Sequence, residues 1–371
     1  MKFGVFILGE KPPMLSGDVV YRRNLDQCRA ADDMGYDTIW LGEHHFSPYG
    51  TIADPFVFGA AVAAVTKHAR IGTAVVIPAF MNPIRMAERV AMVDAISGGR
   101  FDLGLGRGYQ QKEFKKFGIP MEESTERFVE AVEVIENLLT HQTYSWEGKF
   151  TRGEDINIFP RPTQEKVPFY IAVLRTASTI DWGVSKGYGM MVGNPYIPDP
   201  ELSKSLELLY AAHDKHNVDR DVSDTWALTT AFTSHDEQFA VDYPRDSVRL
   251  NMQFLQQYAA PFERGEEVPK DYQAYSNWYD TIASRDIDPY DKILQMPTAF
   301  IGSPDSIIEK IRAMNNEHGW ENFILTLNKG GAMEQEHVLE AMKIFAEEII
   351  PAAKENAVKD AESKSRVDAR A

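Results

Sequence analysis

The sequence has one cysteine, Cys28, in 371 residues. A disulfide within the chain is therefore impossible, and metal sites built from several thiolates are excluded. Cys28 stands at helical spacing with Leu25 and Met34, which reads as burial of a small apolar side chain. No apolar run approaches the roughly 20 residues that a membrane-spanning helix needs. The opening "MKFGVFILGEKPP" is too short to hold a signal core with a cleavage site behind it, and it reads as a first strand. A cytoplasmic protein is the expectation. Basic charge is also scarce: 39 Lys and Arg face 55 Asp and Glu, a net charge of −16. That balance argues against a general nucleic-acid surface and against docking on an anionic membrane.

What is present is ordinary globular composition, 44% hydrophobic and 25% charged, enough for a large core. Residues 2–8, 37–41, 69–78, 100–108, 168–174, 188–193, 225–234 and 322–328 read as eight short apolar strands. Helical patterns alternate with them. Gly35 closes one, Asp54-Pro55 opens another, Pro83 and Gly98-Gly99 bracket a third, and Ser303-Pro304 starts a later one. Residues 141–165 break the rhythm and suggest an inserted hairpin. Residues 259–295, polar, aromatic and proline-bearing, exceed an ordinary connection and read as a lid or binding loop. From 356 to 371 the chain is charged without a core stripe, the pattern of a frayed tail. Eight strands with intervening helices give an α/β fold, a (β/α)8 TIM barrel with inserted loops, as one domain over residues 1–355. A doubly wound open sheet is the alternative.

Barrels of this kind place their chemistry where the strands end. The second strand runs out into Glu43, His44 and His45. Side chains alternate faces along a strand, so one imidazole faces the mouth, while the other and Glu43 orient it or meet a partner. A purely structural hydrogen-bonded cluster is the plain alternative. Adjacent histidines lack the spacing of a helical zinc site, and the other histidines are scattered, so no metal is expected.

The fourth strand ends in "GLGRGYQQKEF". Gly104, Gly106 and Gly108 alternate, which either opens the backbone to a flat ligand or serves close packing of the barrel. Arg107 between them is a natural phosphate ligand, with Gly108 and Tyr109 beside it. The fifth strand ends at Val173 and Leu174. Arg175, Thr176, Ser178 and Thr179 follow, at the start of a helix whose free N–H groups suit an anion. A hydroxyl there is equally an N-cap.

Taken in order, "WLGEHHF" near 40, "RIGTAVVIP" near 70, "SGGRFDLGLGRGYQQKEFKKFG" at 97–118, "ASTIDW" at 177–182 and "FIGSPDSIIEKIRAM" at 300–314 resemble the bacterial luciferase-like flavin monooxygenases. The resemblance covers most of the chain. It implies a barrel that binds reduced FMN (FMNH2) delivered by a separate NAD(P)H:flavin reductase. Through a C4a-peroxyflavin, O2 would oxygenate a small apolar aldehyde, ketone or ring compound. It makes His44 the catalytic histidine, with Glu43 and His45 its motif neighbours. To the flavin it assigns Ala74 and Val75, where the family carries a non-prolyl cis peptide, with Arg107, Gly108 and Tyr109. Val173, Leu174, Arg175, Thr176, Ser178, Thr179 and Asn194 complete that set. It implies a homodimer through the second and third helices, where Ile84, Val90, Val93 and Ile96 make an apolar stripe.

The sequence also departs from the family. Gly106 replaces a reactive cysteine, which suggests a roomier pocket. Asn194 stands where a tryptophan is usual, and Arg175 replaces an acidic residue. Thr125 lies near the place of a second phosphate arginine, with Arg127 two positions on as a substitute. These departures weigh against light emission from long-chain aldehyde, and they leave reduced-flavin oxygen chemistry in place. Two other readings share the barrel: a deazaflavin (F420) oxidoreductase and a non-catalytic flavin-binding protein. The EHH stretch and segment 97–118 favour the monooxygenase over the first. The eight strands and His44 favour it over the second. In the 259–295 excursion Tyr272, Tyr275, Trp278, Tyr279 and Tyr290 either suit an apolar, ring-shaped substrate or pack the excursion onto the barrel.

Overall fold

The computed structural model describes residues 1–173, 176–192, 199–219, 224–259, 262, 272 and 288–368, with backbone alone at 199–201 and 361–368. In chain order the first strands are β1 (Lys2–Ile7), β2 (Thr38–Leu41), β3 (Arg70–Thr73) and β4 (Phe101–Leu105). A hairpin of β5 (Tyr144–Glu147) and β6 (Arg152–Ile156) interrupts the series, antiparallel and in a sheet of its own. Then come β7 (Phe169–Val173), β8 (Gly189–Val192), β9 (Thr225–Thr233), β10 (Ala299–Gly302) and β11 (Asn322–Thr326). Each barrel strand pairs in parallel with the next, from β1 through β4 to β7, β8, β9 and β11. Pairing of β11 with β1 closes the ring. This is the eight-stranded (β/α)8 barrel, with almost every strand residue buried, as strands covered on both faces require.

The helix punctuation works as its chemistry dictates. Asp54 Oδ1 accepts from the N–H groups of Phe56 and Val57, and Asn82 Oδ1 from those of Ile84 and Arg85. Each such cap stabilises its helix by about 1 kcal/mol. Gly98 takes the left-handed conformation (φ 70°) that ends the helix Pro83–Ser97, where a side chain would be strained.

Four features differ from the sequence reading. The ladder of 69–78 stops at Thr73; the Ala74–Val75 peptide is cis, Val76 alone bridges to Leu105, and Pro78–Phe80 is a 3-10 turn. The four-residue strand β10 joins residues Thr230–Thr233 of β9, past the stretch Trp226–Thr230 that pairs with β11. The charged stretch from 356 continues a helix, Ile350–Asp368, in which Asp360 accepts from Arg312 at 2.6 and 2.8 Å. Finally, the apolar stripe of helix Pro83–Ser97 divides: Val90 and Val93 are buried against the chain's own barrel, while Ile96 is 51% exposed.

Candidate active site

The strand ends on the mouth side enclose an empty volume of about 1070 Å3, open mouth included. Its wall brings together Glu43, His44, Ala74, Val75, Arg107, Gly108, Tyr109 and Val173 from β2, β3, β4 and β7. The rest is chiefly apolar, with Phe6, Leu8, Ala172, Met191, Leu228 and Ile324.

His44 leaves the end of β2 with its ring against Tyr49 and Tyr109 (centroids 4.8 and 5.9 Å). Its Nδ1 lies 2.9 Å from Gln110 Nε2 and 3.3 Å from Glu113 Oε1. A donating Gln110 amide makes Nδ1 an acceptor and places the ring proton on Nε2, for which no protein partner stands among the described residues. A proton on Nδ1 would instead face the Glu113 carboxylate. Glu113 is itself anchored by the His45 N–H at 2.8 Å. The sequence reading singles out neither Gln110 nor Glu113, because it places no helix directly after β4. The short helix Gln111–Phe117 sets them one turn apart, on one side.

Glu43 and His45 therefore do not orient His44; they bind each other. Glu43 Oε1 meets His45 Nε2 at 2.7 Å, and its Oε2 accepts the Ile77 N–H at 2.9 Å. Burial pushes the Glu43 carboxyl above its usual range, against the pull of His45 and Ile77. Burial works against the His45 imidazolium, but the hydrogen bond and charge of Glu43 outweigh it and hold His45 above its ordinary value. Both shifts keep a proton on the pair. The His45 ring packs outward, edge-on to Phe80 and Phe117.

Of the alternating glycines, Gly106 and Gly108 line the cavity, and Gly104 serves packing. A Cβ at Gly104 would fall 1.8 Å from the Thr73 carbonyl oxygen, so that glycine lets β3 and β4 approach. A Cβ at Gly106 would fall 2.3 Å from Val75 Cγ2. The room expected there is thus filled by Val75. Gly108 turns with φ +81°.

Among the described residues, Arg107 is held by Thr125 and Tyr272. Its Nη1 donates to Thr125 Oγ1 at 2.8 Å, and its guanidinium lies 4.4 Å from the centre of the Tyr272 ring. Tyr272 is fully buried, with its hydroxyl on Ser124 Oγ (2.7 Å) and the Gly108 carbonyl (3.1 Å). Within the 259–295 stretch, Tyr272 and Tyr290 are thus both buried against the barrel. The proposed substitute Arg127 turns away, paired with Glu123 at 2.7 Å and stacked on Phe150. Thr176 caps the start of the helix Ala177–Ser185 without a side-chain bond, and Ser178 is exposed. Neither they nor Thr179 are among the described residues of the cavity wall. Leu174, Arg175, Asn194, Tyr275, Trp278 and Tyr279 lie outside the described residues.

A second buried cluster lies where β1 and β11 run out. Glu10 accepts from the Gly330 N–H at 2.7 Å and from Asn251. Burial raises its carboxyl, with the charges of Lys329 and His44 opposing. Burial pulls Lys329 down to about 8, with Glu10 opposing. Nothing in the sequence pattern marks this pair, since the two lie at opposite ends of the barrel's chain order. Among the described residues no group of three or more His, Cys, Asp or Glu is placed to hold a metal ion, and no helix is long and apolar enough to cross a membrane.

Comparison with known proteins converges on one family. The family described as luciferase-like monooxygenase matches residues 1–320. The alkanal monooxygenase alpha chain of the Kryptophanaron alfredi symbiont is 26% identical over 362 residues, 96% of this chain and 99% of that one. The oxygenase component of the flavin-dependent trigonelline monooxygenase of Acinetobacter baylyi is 25% identical, covering 96% of this chain and 97% of its own. The crystal structure of a Streptomyces bottropensis monooxygenase superposes with a TM-score of 0.78 at 27% identity, over 95% of this chain and 99% of that one. The chain belongs to the luciferase-like monooxygenases, an oxidoreductase family.

Proposed function

We propose that this chain is the oxygenase component of a two-component flavin monooxygenase, which takes FMNH2 from a separate reductase and uses O2 to oxygenate a small apolar substrate. The observation that carries the reading is His44. Its ring lines a mostly apolar cavity while its Nδ1 side is occupied by Gln110 and Glu113.

The cavity suits a flavin in three respects. Among the described residues its wall is broad and apolar and contains one fixed cation, Arg107, and Val75 and Ala74 line it at the exit of β3. Arg107 would hold the phosphate. Reduced FMN, when bound, supplies the electrons with which O2 is activated. The apolar wall excludes water from that chemistry. His44 gives or takes a proton at Nε2, a role that an imidazole fills near neutral pH. Exposed Val57, Met92 and Ile96 on the second and third helices are the apolar surface on which we place a homodimer.

The test is anaerobic titration with FMNH2 and with reduced F420, followed by a substrate panel with a flavin reductase, scored by mass gain of one oxygen. Tighter binding of FMNH2 and an oxygenated product are expected. Preference for F420, with hydride transfer and no oxygen gain, would replace the proposal by the deazaflavin alternative.

A further inference from the structure

Below the cavity floor, on the side of the strand beginnings, the barrel is filled by three aromatic rings. Trp40 of β2 meets Trp226 of β9 and Tyr170 of β7 edge-on, both at 5.3 Å between centroids. All three are buried. Met191 and Ile324 pack in the same cluster and also line the cavity, as do Ala74, Val75 and Ala172. One layer of side chains therefore separates the rings from the cavity. On the far side, the Tyr170 hydroxyl donates to Asp224 Oδ2 at 2.9 Å. Asp224 is 33% exposed and paired with Lys2, itself 47% exposed.

Two features go beyond filling space. A Cβ would lie 2.8 Å from the Trp40 ring at Gly4, 2.2 Å from it at Gly72, and 2.4 Å from the Tyr170 ring at Gly189. Three strands thus give up a side chain to admit these rings. In addition, the Nε1–H groups of Trp40 and Trp226 are buried with no hydrogen-bond partner among the described residues. An unpaired buried donor is destabilising, and phenylalanine would plug the barrel without one.

We propose that Trp40, Trp226 and Tyr170 are an electron relay that carries oxidising equivalents from the cavity to the closed end of the barrel, sparing the active site when oxygen chemistry misfires. It rests on the flavin reading above. An oxidant in the cavity (a hydroxyl radical in turnover, photoexcited FMN in the test) takes one electron from Trp40, directly or through Trp226. With no acceptor at Nε1, the indole cation keeps its proton and takes an electron from Tyr170 instead. The phenol proton crosses to the Asp224 carboxylate as that electron leaves, giving a neutral tyrosyl radical. A thiolate in solution then returns one electron, and Asp224 returns the proton. The net change is one electron from thiolate to oxidant, with a thiyl radical as the other product. Burial, with the charges of Asp102 and Asp224, keeps the phenol protonated at rest, so the proton moves only with the electron.

The experiment is laser-flash spectroscopy of the protein loaded with FMN, binding being scored first by quenching of flavin fluorescence. Wild type should show a tyrosyl radical. Tyr170→Phe, which removes one oxygen, should lose that signal and leave a longer-lived indole cation. Trp40→Phe, checked for folding by thermal unfolding, should lose the tyrosyl radical. An undiminished tyrosyl yield in Tyr170→Phe would overturn the relay. If FMN does not bind, the flavin reading fails instead. The relay is then decided by ultraviolet photoionisation of the indoles in the apoprotein, where loss of the tyrosyl signal in Tyr170→Phe supports it and persistence overturns it.

Discussion

The Cγ2 atom of Val75 stands 2.3 Å from where the first side-chain atom of residue 106 would lie. The two positions share one volume, and valine occupies it from the cavity wall. Gly106→Cys alone should destabilise the protein by about 1–3 kcal/mol, the usual cost of overpacking a tight site. Val75→Ala/Gly106→Cys should recover most of that loss, because the volume then passes from one residue to the other. Thermal unfolding of both single variants and the double decides it. Simple additivity of the two changes would show that the residues do not compete.

Gln110 and Glu113 offer His44 Nδ1 two different partners, a donor and a carboxylate acceptor. Gln110→Leu removes the donor, so the ring proton should move to Nδ1 and face Glu113. The 15N shifts of the His44 ring should report that change of tautomer, with product formation slowed and the fold unchanged. His44→Ala should lose roughly 10²–10⁴-fold in product formation, the range for a general acid–base group. A Gln110→Leu protein with the wild-type tautomer and rate would remove Gln110 from this role.

Arg107 makes a sharper test of phosphate recognition than any hydroxyl in the site. Arg107→Met should weaken FMN binding by about 1.5–3 kcal/mol, the worth of a hydrogen bond to a charged group. Riboflavin, which lacks the phosphate, should bind both proteins alike. Equal weakening of both ligands in a fluorescence titration would mean that Arg107 supports the wall and not the phosphate.

Much of this was legible in the sequence because the barrel's signals are local. Apolar strand runs, Asp54 and Asn82 as caps, and the residues at the ends of β2, β3 and β4 could be read without knowing what they touch. What could not be read was pairing across the fold. Val75 filling the space beside Gly106, Tyr272 covering Arg107, and Glu10 coupled to Lys329 join residues 31 to 319 positions apart. The role of Glu43 and His45 was missed for a related reason. Adjacency in sequence suggests that they serve His44, whereas past the end of β2 Glu43 and His45 meet each other and His44 is left to a later helix.

The Glu43–His45 pair should leave a signature in stability against pH. His45 in the fold binds its proton more tightly than at its ordinary 6.5. Its contribution is therefore complete below 6.5 and is lost as pH rises through the folded value. Glu43, also raised, acts in the same direction from 4.5 upward. Unfolding free energy should accordingly decline as pH rises past 6.5, and Glu43→Gln/His45→Gln should flatten that decline. Chemical denaturation at a series of pH values reads both slopes. Identical slopes would show that the pair holds no proton of its own.

Lys329 and Glu10 give the opposite slope at alkaline pH. Lys329 titrates near 8 in the fold and at 10.5 when free, so between these values the unfolded chain binds more protons and stability from this group rises with pH. Lys329→Met should abolish that rise. At neutral pH it should also cost about 3–5 kcal/mol, because it leaves the Glu10 carboxyl buried without its compensating charge. Glu10→Gln/Lys329→Met should cost much less than the sum of the single changes, since the double variant buries no charge at all. The same double-mutant cycle, read by denaturant unfolding, isolates the coupling. A coupling near zero would mean that the two charges stabilise the strand ends independently, through Asn251 and Gly330 on one side and the chain around Lys329 on the other.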